Sequence, residues 1–295
     1  MVTKLLLLGN SGQLGWELNR TLISLGELTA VDYPEIDLGN PNNIQEIVDA
    51  TAPDIIINAG AFTDVDLAEK KADLAFAVNS EGPGFLAELL KKRGGLLIHF
   101  STDYVFNGKS GTPYVETDSP SPLNIYGKSK LDGENNILNN DGNYLIFRTS
   151  WVYSLRRRCF LTNVLKWAEE TNILRIVNDQ TSTPTSSRFL AEVIAQIIAQ
   201  GRDHPVEWLS ERKGLYHLTN SGSCSRYEWA KKILLLRKTN DQRKTIHVLP
   251  VKSAEFPSLV RRPENSVLNC KKLESTFDNN LPQWDKSLEL MITKQ

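Results

Sequence analysis

Lys4-Leu-Leu-Leu-Leu8 runs straight into Gly9-Asn-Ser-Gly12-Gln-Leu-Gly15. Such a short apolar run reads as a strand buried on both faces, the habit of a parallel sheet. After the glycines, Leu14, Leu18, Leu22 and Leu25 recur at helical spacing, so a helix is expected over Gly12–Leu25. Glycines at 9, 12 and 15 permit a tight turn, let backbone approach a pyrophosphate and let helix pack on strand. The helix start then presents free N–H groups and a partial positive charge to an anion. Strand, glycine turn and helix in that order commit the chain to a βαβ opening.

The same rhythm continues. Strands are expected at Leu28–Val31, Asp54–Asn58, Gly95–Phe100 and Tyr144–Arg148. Between them lie helices over Asn43–Ala50, from about 66 to 93 with a break at Gly82-Pro83-Gly84, and around Tyr126. Apolar strands alternating with helices give an α/β class, a Rossmann-type doubly wound parallel sheet over residues 1–150. From about 151 the rhythm changes. Helical patterns at Phe160–Glu170, Phe189–Ala199 and Tyr227–Leu236 are separated by short strands and polar loops. Residues 151–295 read as a smaller C-terminal α/β substrate-binding lobe, interleaved with the last sheet strands, and Ile173–Val177 can belong to either part.

The formal net charge is −1, so no global basic field draws the chain to nucleic acid or an anionic membrane. Leu5–Leu8 is too short for a membrane span. Cys159, Cys224 and Cys270 are far apart and show no zinc spacing, so a reducing cytoplasm is the expected location.

Tyr126 and Lys130 stand four residues apart in Tyr-Gly-Lys-Ser-Lys. On a helix they share a face, and a nearby ammonium favours the phenolate. A phenol so tuned is a general acid or base. Thr102, delivered by a separate strand, can hold a carbonyl oxygen beside it. These are the parts for passing a proton to a ketone while a nicotinamide passes it a hydride. Asp32 closes the second strand, where a carboxylate takes ribose hydroxyls or serves only as a loop residue. In the first role it disfavours a cofactor carrying a ribose phosphate. Asp37-Leu38 either reaches the adenine or caps a helix. Asn58-Ala59-Gly60-Ala61 leaves room above the carboxyl edge of the sheet.

Taken together, these segments resemble the extended short-chain dehydrogenase/reductases, and more narrowly the dTDP-4-dehydrorhamnose reductase family. The carriers are Gly9–Trp16, Asn58–Thr63, Val65-Asp66, Ser101–Phe106 (Ser-Thr-Asp-Tyr-Val-Phe), Pro122–Lys130, Arg148–Tyr153 (Arg-Thr-Ser-Trp-Val-Tyr), Asn178-Asp179-Gln180 with Pro184-Thr185, and Arg262-Pro263 with Asn265-Ser266. The resemblance implies an NAD(P)H-dependent oxidoreductase of nucleotide-sugar and polysaccharide biosynthesis. NADPH or NADH reduces C4 of dTDP-4-dehydro-β-L-rhamnose, giving dTDP-L-rhamnose. Tyr126 donates the proton, Lys130 tunes it and holds the nicotinamide ribose, and Thr102 orients the oxo group. Cofactor contacts fall on Gly12, Gln13, Leu14, Asp37, Leu38, Gly60, Ala61 and Thr63. Substrate contacts fall on Asp103, Tyr104, Val105 and Trp151. Trp151 either faces a sugar or fills a core gap.

The chain departs from the family pattern at Ser154–Phe160, where Arg156-Arg157-Arg158 replaces a glycine and asparagines. The arginines either clamp a diphosphate or form a solvated loop. Some family members dimerise through magnesium between glutamates. Glu17 is in place here, but Arg188 stands where a second glutamate is needed. A monomer or weak homodimer without a metal is therefore expected. Three rivals share the pattern: an NADP-binding partner protein like the methionine adenosyltransferase β subunit, a nucleotide-sugar epimerase, and a reductase of another nucleotide sugar.

Overall fold

A computed structural model describes residues 2–237, 245–256, 258 and 260–293. Five strands come from the first half: β1 (Lys4–Leu8), β2 (Glu27–Val31), β3 (Ile55–Asn58), β4 (Leu96–Thr102) and β5 (Asn143–Thr149). The sixth strand, Gly214–His217, comes from the second half and pairs with β5. All pair in parallel, in the order Gly214–His217, β5, β4, β3, β1, β2. Ile173–Val177 lies outside this sheet and pairs with His247–Val251.

Strand side chains alternate between faces, and the two cores follow that alternation. Leu5, Leu7, Ile55, Ile57, Leu96 and Ile98 meet Leu14, Leu18 and Leu22 of α1 (Gln13–Leu22) and the apolar side of the Ser187–Gln200 helix. Leu6, Leu8, Ile56, Leu97 and Ile146 meet Ile44, Val48, Leu86 and Leu90 on the other side. A third core joins Tyr153, Leu161, Val164, Trp229 and Ile233 in the C-terminal half. The second half thus adds a strand and a helix to the first half's layers as well as a core of its own. No helix among the described residues is long and apolar enough to cross a membrane.

β1 has β2 on one side and β3 on the other, so the winding direction reverses there. Ligands of open α/β sheets bind at the carboxyl edge of that reversal. Gly9 (φ 81°) follows β1, and a Cβ on it would lie 2.6 Å from the Gly60 nitrogen after β3. A Cβ on Gly15 would overlap the Gly9 carbonyl backbone. Gly15→Ala therefore pushes α1 off its turn. We expect a stability loss of about 1–3 kcal/mol, as for other overpacked sites, with weaker nucleotide binding, read from urea unfolding and from titration with NADPH.

The expected helix break at Gly82-Pro83-Gly84 is absent. A π-helical turn, Ala77–Glu81, leads without interruption into the Gly82–Arg93 helix. Pro83 sits at the seam between the π turn and the α-helix, where the change of hydrogen-bond register accommodates its missing N–H. The interruption falls instead at Glu69–Lys71, between the Val65–Ala68 and Ala72–Phe76 helices.

Candidate active site

β4 extends two residues past the expected strand, to Thr102, and delivers Ser101 and Thr102 to the carboxyl edge. Thr102 accepts from the Tyr104 N–H (3.2 Å) and caps the short turn Asp103–Val105. Opposite stands the Ile125–Asn139 helix, capped by Asn124, whose side chain accepts from the Gly127 N–H (2.8 Å). Gly127 lets this helix close on the Tyr104 carbonyl, where any Cβ would overlap it. Tyr104 then meets Tyr126 edge to face, with centroids 5.9 Å apart. Tyr126 is half-buried, and its hydroxyl stands near enough to Thr102 to feel that hydroxyl's polarity. Strand end and helix start together put phenol and hydroxyl in one corner.

The charge pattern there differs from the simple spacing argument. Burial raises the Tyr126 phenol well above its ordinary value, and Thr102 opposes this only in part. Lys130 does share a helix face with Tyr126, but its stem dives into the sheet. Its Nζ bonds the Phe100 carbonyl (2.6 Å) and lies 3.2 Å from His99 Nε2. Burial brings Lys130 down to about 8, with the Glu134 carboxylate pulling the other way. The phenol is therefore fully protonated at neutral pH, which suits a proton donor. Asp103 is buried, and that raises its carboxyl to about 6 against hydrogen bonds from Ser266, Ser182 and Thr102.

At the nucleotide end, a Cβ on Gly12 would meet only the Gly9 carbonyl oxygen, at 3.2 Å, so the space before α1 is open to a phosphate. This cradle fits a dinucleotide. Gly9, Gly15 and Leu14 build the turn beneath it, and Gln13 Oε1 accepts from the Ser154 hydroxyl (3.1 Å). Asp32 accepts from the N–H (2.8 Å) and hydroxyl of Ser11. Asp37 accepts from the Gly39 N–H (2.9 Å). Leu38 is buried beside Gly60, Ala59 and Ala61 are half-buried at the end of β3, and Thr63 is exposed.

The chain matches the model of one protein family, the RmlD substrate binding domain, over residues 3–295. It belongs to the RmlD family. It is 38% identical over 293 residues to a dTDP-4-dehydrorhamnose reductase of Burkholderia thailandensis, covering 98% of each chain. It is 38% identical over 295 residues to one of Salmonella typhimurium, covering 98% of this chain and 97% of that one. A crystal structure of dTDP-4-dehydrorhamnose reductase from Bacillus anthracis str. Ames in complex with NADP superposes with a TM-score of 0.90. It is 32% identical and covers all of both chains. The Bordetella bronchiseptica enzyme WbmG, in complex with NAD and UDP, shares only the fold, at 16% identity and a TM-score of 0.76 over 99% of this chain and 94% of that one.

Within this RmlD family site, Val105 points into a core with Phe106, Tyr114 and Leu268. Trp151 adopts a left-handed backbone (φ 42°), an uncommon state for a bulky residue that tends to occur at functional sites. One of its faces is already covered: the Arg226 guanidinium lies 3.7 Å from the ring centre, and Trp229 stacks at 5.6 Å. Arg226 also lies near the Tyr104 hydroxyl: burial raises that phenol, and the Arg226 charge opposes this. The Arg156–Arg158 loop leans on the nucleotide end. Arg156 covers Trp16 (3.7 Å), Arg157 donates to the Ser11 carbonyl and hydroxyl (both 2.7 Å), and Arg158 donates to Asn163 (3.3 Å). Arg188 pairs with Glu192 (3.0 Å), and no group of three or more metal-ligating side chains occurs among the described residues.

Reasoning from residue types alone passed over several groups. Asn79, on the π turn, bonds both backbone groups of Phe62 and the Ser129 hydroxyl, tying the loop after β3 to the Tyr126 helix. Glu134 accepts from Arg148 (2.6 and 2.9 Å) and from Ser101. Asn58 closes the aliphatic run of β3, and His99 interrupts the apolar run that opens β4. That interruption was the available signal, because a buried polar group needs a partner.

Proposed function

We propose that this chain is an NAD(P)H-dependent oxidoreductase that reduces the 4-keto group of dTDP-4-dehydro-β-L-rhamnose, giving dTDP-L-rhamnose. The carrying observation is the placement of the Tyr126 phenol beside Thr102 at the same carboxyl edge as the open glycine cradle, with burial keeping the phenol protonated. The near full-length likeness to dTDP-4-dehydrorhamnose reductases supports the substrate, and the NADP-bound relative supports the cofactor.

The residues that would hold the cofactor are Gly9, Gly12, Gln13, Leu14 and Gly15, with Asp32, Asp37, Leu38, Ala59, Gly60, Ala61 and Thr63 around its adenosine and Tyr126 and Lys130 at its far end. Bound there, NADPH or NADH supplies the hydride. Thr102 donates to the oxo oxygen and fixes its direction. Tyr126 gives that oxygen its proton as negative charge develops on it, so one C–H and one O–H bond form and the carbonyl π bond is lost. Lys130, held at the Phe100 carbonyl and His99 one helical turn from the phenolate that remains, supplies positive charge from that side when it is protonated. Asp103, Tyr104 and Trp151 form the wall on the sugar side, with Val105 packed behind it; residues 1–150 serve the cofactor and lend Asp103 and Tyr104 to the substrate, and 151–295 supply the rest of the substrate side. A cytoplasmic monomer or weak homodimer without a bridging metal completes the proposal, in keeping with three free cysteines and an arginine at 188.

The purified chain, given the dTDP keto sugar, is expected to consume NADPH or NADH stoichiometrically and release the reduced sugar. Isomerised sugar with no net loss of reduced cofactor would instead identify an epimerase.

A further inference from the structure

Asn58 closes the isoleucine run of β3, and His99 follows Leu96-Leu97-Ile98 in β4; both are fully buried. They are partners in the strand register. Asn58 Nδ2 lies 3.2 Å from His99 Nδ1, and His99 Nε2 lies 3.2 Å from Lys130 Nζ. The amide orientation of Asn58 is set by Gly60, whose backbone N–H donates to Asn58 Oδ1 (3.1 Å). A backbone N–H can only donate, so the Asn58 NH₂ faces the imidazole.

A neutral imidazole has one N–H and one lone pair. The Asn58 NH₂ takes the lone pair on Nδ1. The ring proton is then on Nε2 and points at Lys130. An ammonium has three donors and no acceptor, so it cannot receive that N–H. A neutral amine can, and it still donates to the Phe100 carbonyl. A doubly protonated ring fails as well. Burial and Lys130 hold His99 far below its ordinary value, and its two N–H groups would face two donors.

We propose that His99 is a positioning residue for the reaction, locked by Asn58 as its Nε2–H tautomer so that it donates to Lys130 and opposes the ammonium form. Lys130 then exchanges its proton near neutral pH rather than standing as a permanent cation. The other charged groups around it are accounted for. Glu134, one turn along the helix, favours the ammonium but is held by Arg148 and Ser101. Asp132 is bonded to Ser80 of the π turn (2.6 Å), and Glu69 to the helix's first backbone N–H (2.8 Å). Tyr126 lies one turn back, with Asp103 beyond it, and β3 offers only the uncharged Asn58.

Only the rate consequence rests on the reductase reading; the tautomer is read in the free protein. Nitrogen NMR of the labelled imidazole, assigned by loss of its signal in His99→Gln, is expected to show the proton on Nε2. A proton on Nδ1, or on both nitrogens, overturns the proposal whatever the substrate. Asn58→Asp replaces the donor with an acceptor of the same shape. It should move the proton to Nδ1 and free Nε2 to accept from the ammonium. With Tyr126 titrating far higher, Lys130 sets the alkaline limb of kcat/KM. That limb, at or below about pH 8 in the unaltered protein, should rise by about one to two units, the scale of one charge-assisted hydrogen bond. His99→Gln, whose amide oxygen accepts from the ammonium, should move the limb the same way and decides the matter if Asn58→Asp does not fold. A limb that stays in place in a folded variant, with activity merely scaled down, overturns the proposal.

Discussion

Tyr126→Phe is expected to fold, to bind NADPH as tightly as the unaltered chain, and to turn over about 10²- to 10⁴-fold more slowly, the usual worth of general acid–base catalysis. Phenylalanine keeps the ring, so the edge-to-face contact with Tyr104 and the seat of the helix on the Tyr104 carbonyl remain. Only the hydroxyl goes. Thr102 keeps its bonds to Asp103 (3.2 Å) and the Tyr104 N–H. Stability should therefore change little, while the carbonyl oxygen loses its proton source. Single-turnover kinetics with the keto sugar, beside a nucleotide titration and a urea melt, separate these effects. Near-normal turnover in the folded variant would take the proton-donor role away from Tyr126.

Glu134→Ala should cost about 3–5 kcal/mol of stability, the largest loss expected from one substitution in this site. Glu134 and Arg148 are both almost fully buried, joined by a two-point bond at 2.6 and 2.9 Å, and Ser101 donates to the same carboxylate. Removing the carboxylate strands a guanidinium in the interior, with the Phe106 ring 5.0 Å away and the buried His217 nearby. Pairing alone does not make such an ion pair stabilising, because two desolvation penalties oppose the attraction. The double variant Glu134→Leu with Arg148→Met should therefore regain most of the loss. Equilibrium urea unfolding measures both. A single-variant loss below about 1 kcal/mol would mean that water reaches Arg148 and that the pair is not dry.

The bond between Glu134 and Arg148 also explains why this part of the site was hard to read in advance. The two residues lie on a helix and a strand, and nothing local marks them as partners. The Tyr126–Lys130 pair was readable because its spacing is a helical turn, yet the partners of Lys130 were not. A four-carbon stem reaches a sphere of candidates, and the winner, the Phe100 carbonyl with His99 beside it, lies on a strand far away in the chain. The arginine loop shows the same limit, since its contacts with Ser11 and Trp16 span well over a hundred residues.

Sequence alone was enough for whatever depends on neighbours along the chain. The strand–glycine–helix opening, the alternation of buried strands with helices, and the placing of Tyr126 and Lys130 on one helix face all follow from local period and turn chemistry. Folding in three dimensions decided the rest. It recruited Gly214–His217 as the sixth strand and sent Ile173–Val177 elsewhere, because strand pairing is a competition between distant segments with similar local preferences. It also turned Lys130 from the phenol toward an imidazole and raised the phenol where local spacing argued for lowering it. Desolvation and hydrogen-bond direction belong to the packed interior, and no spacing along the chain encodes them.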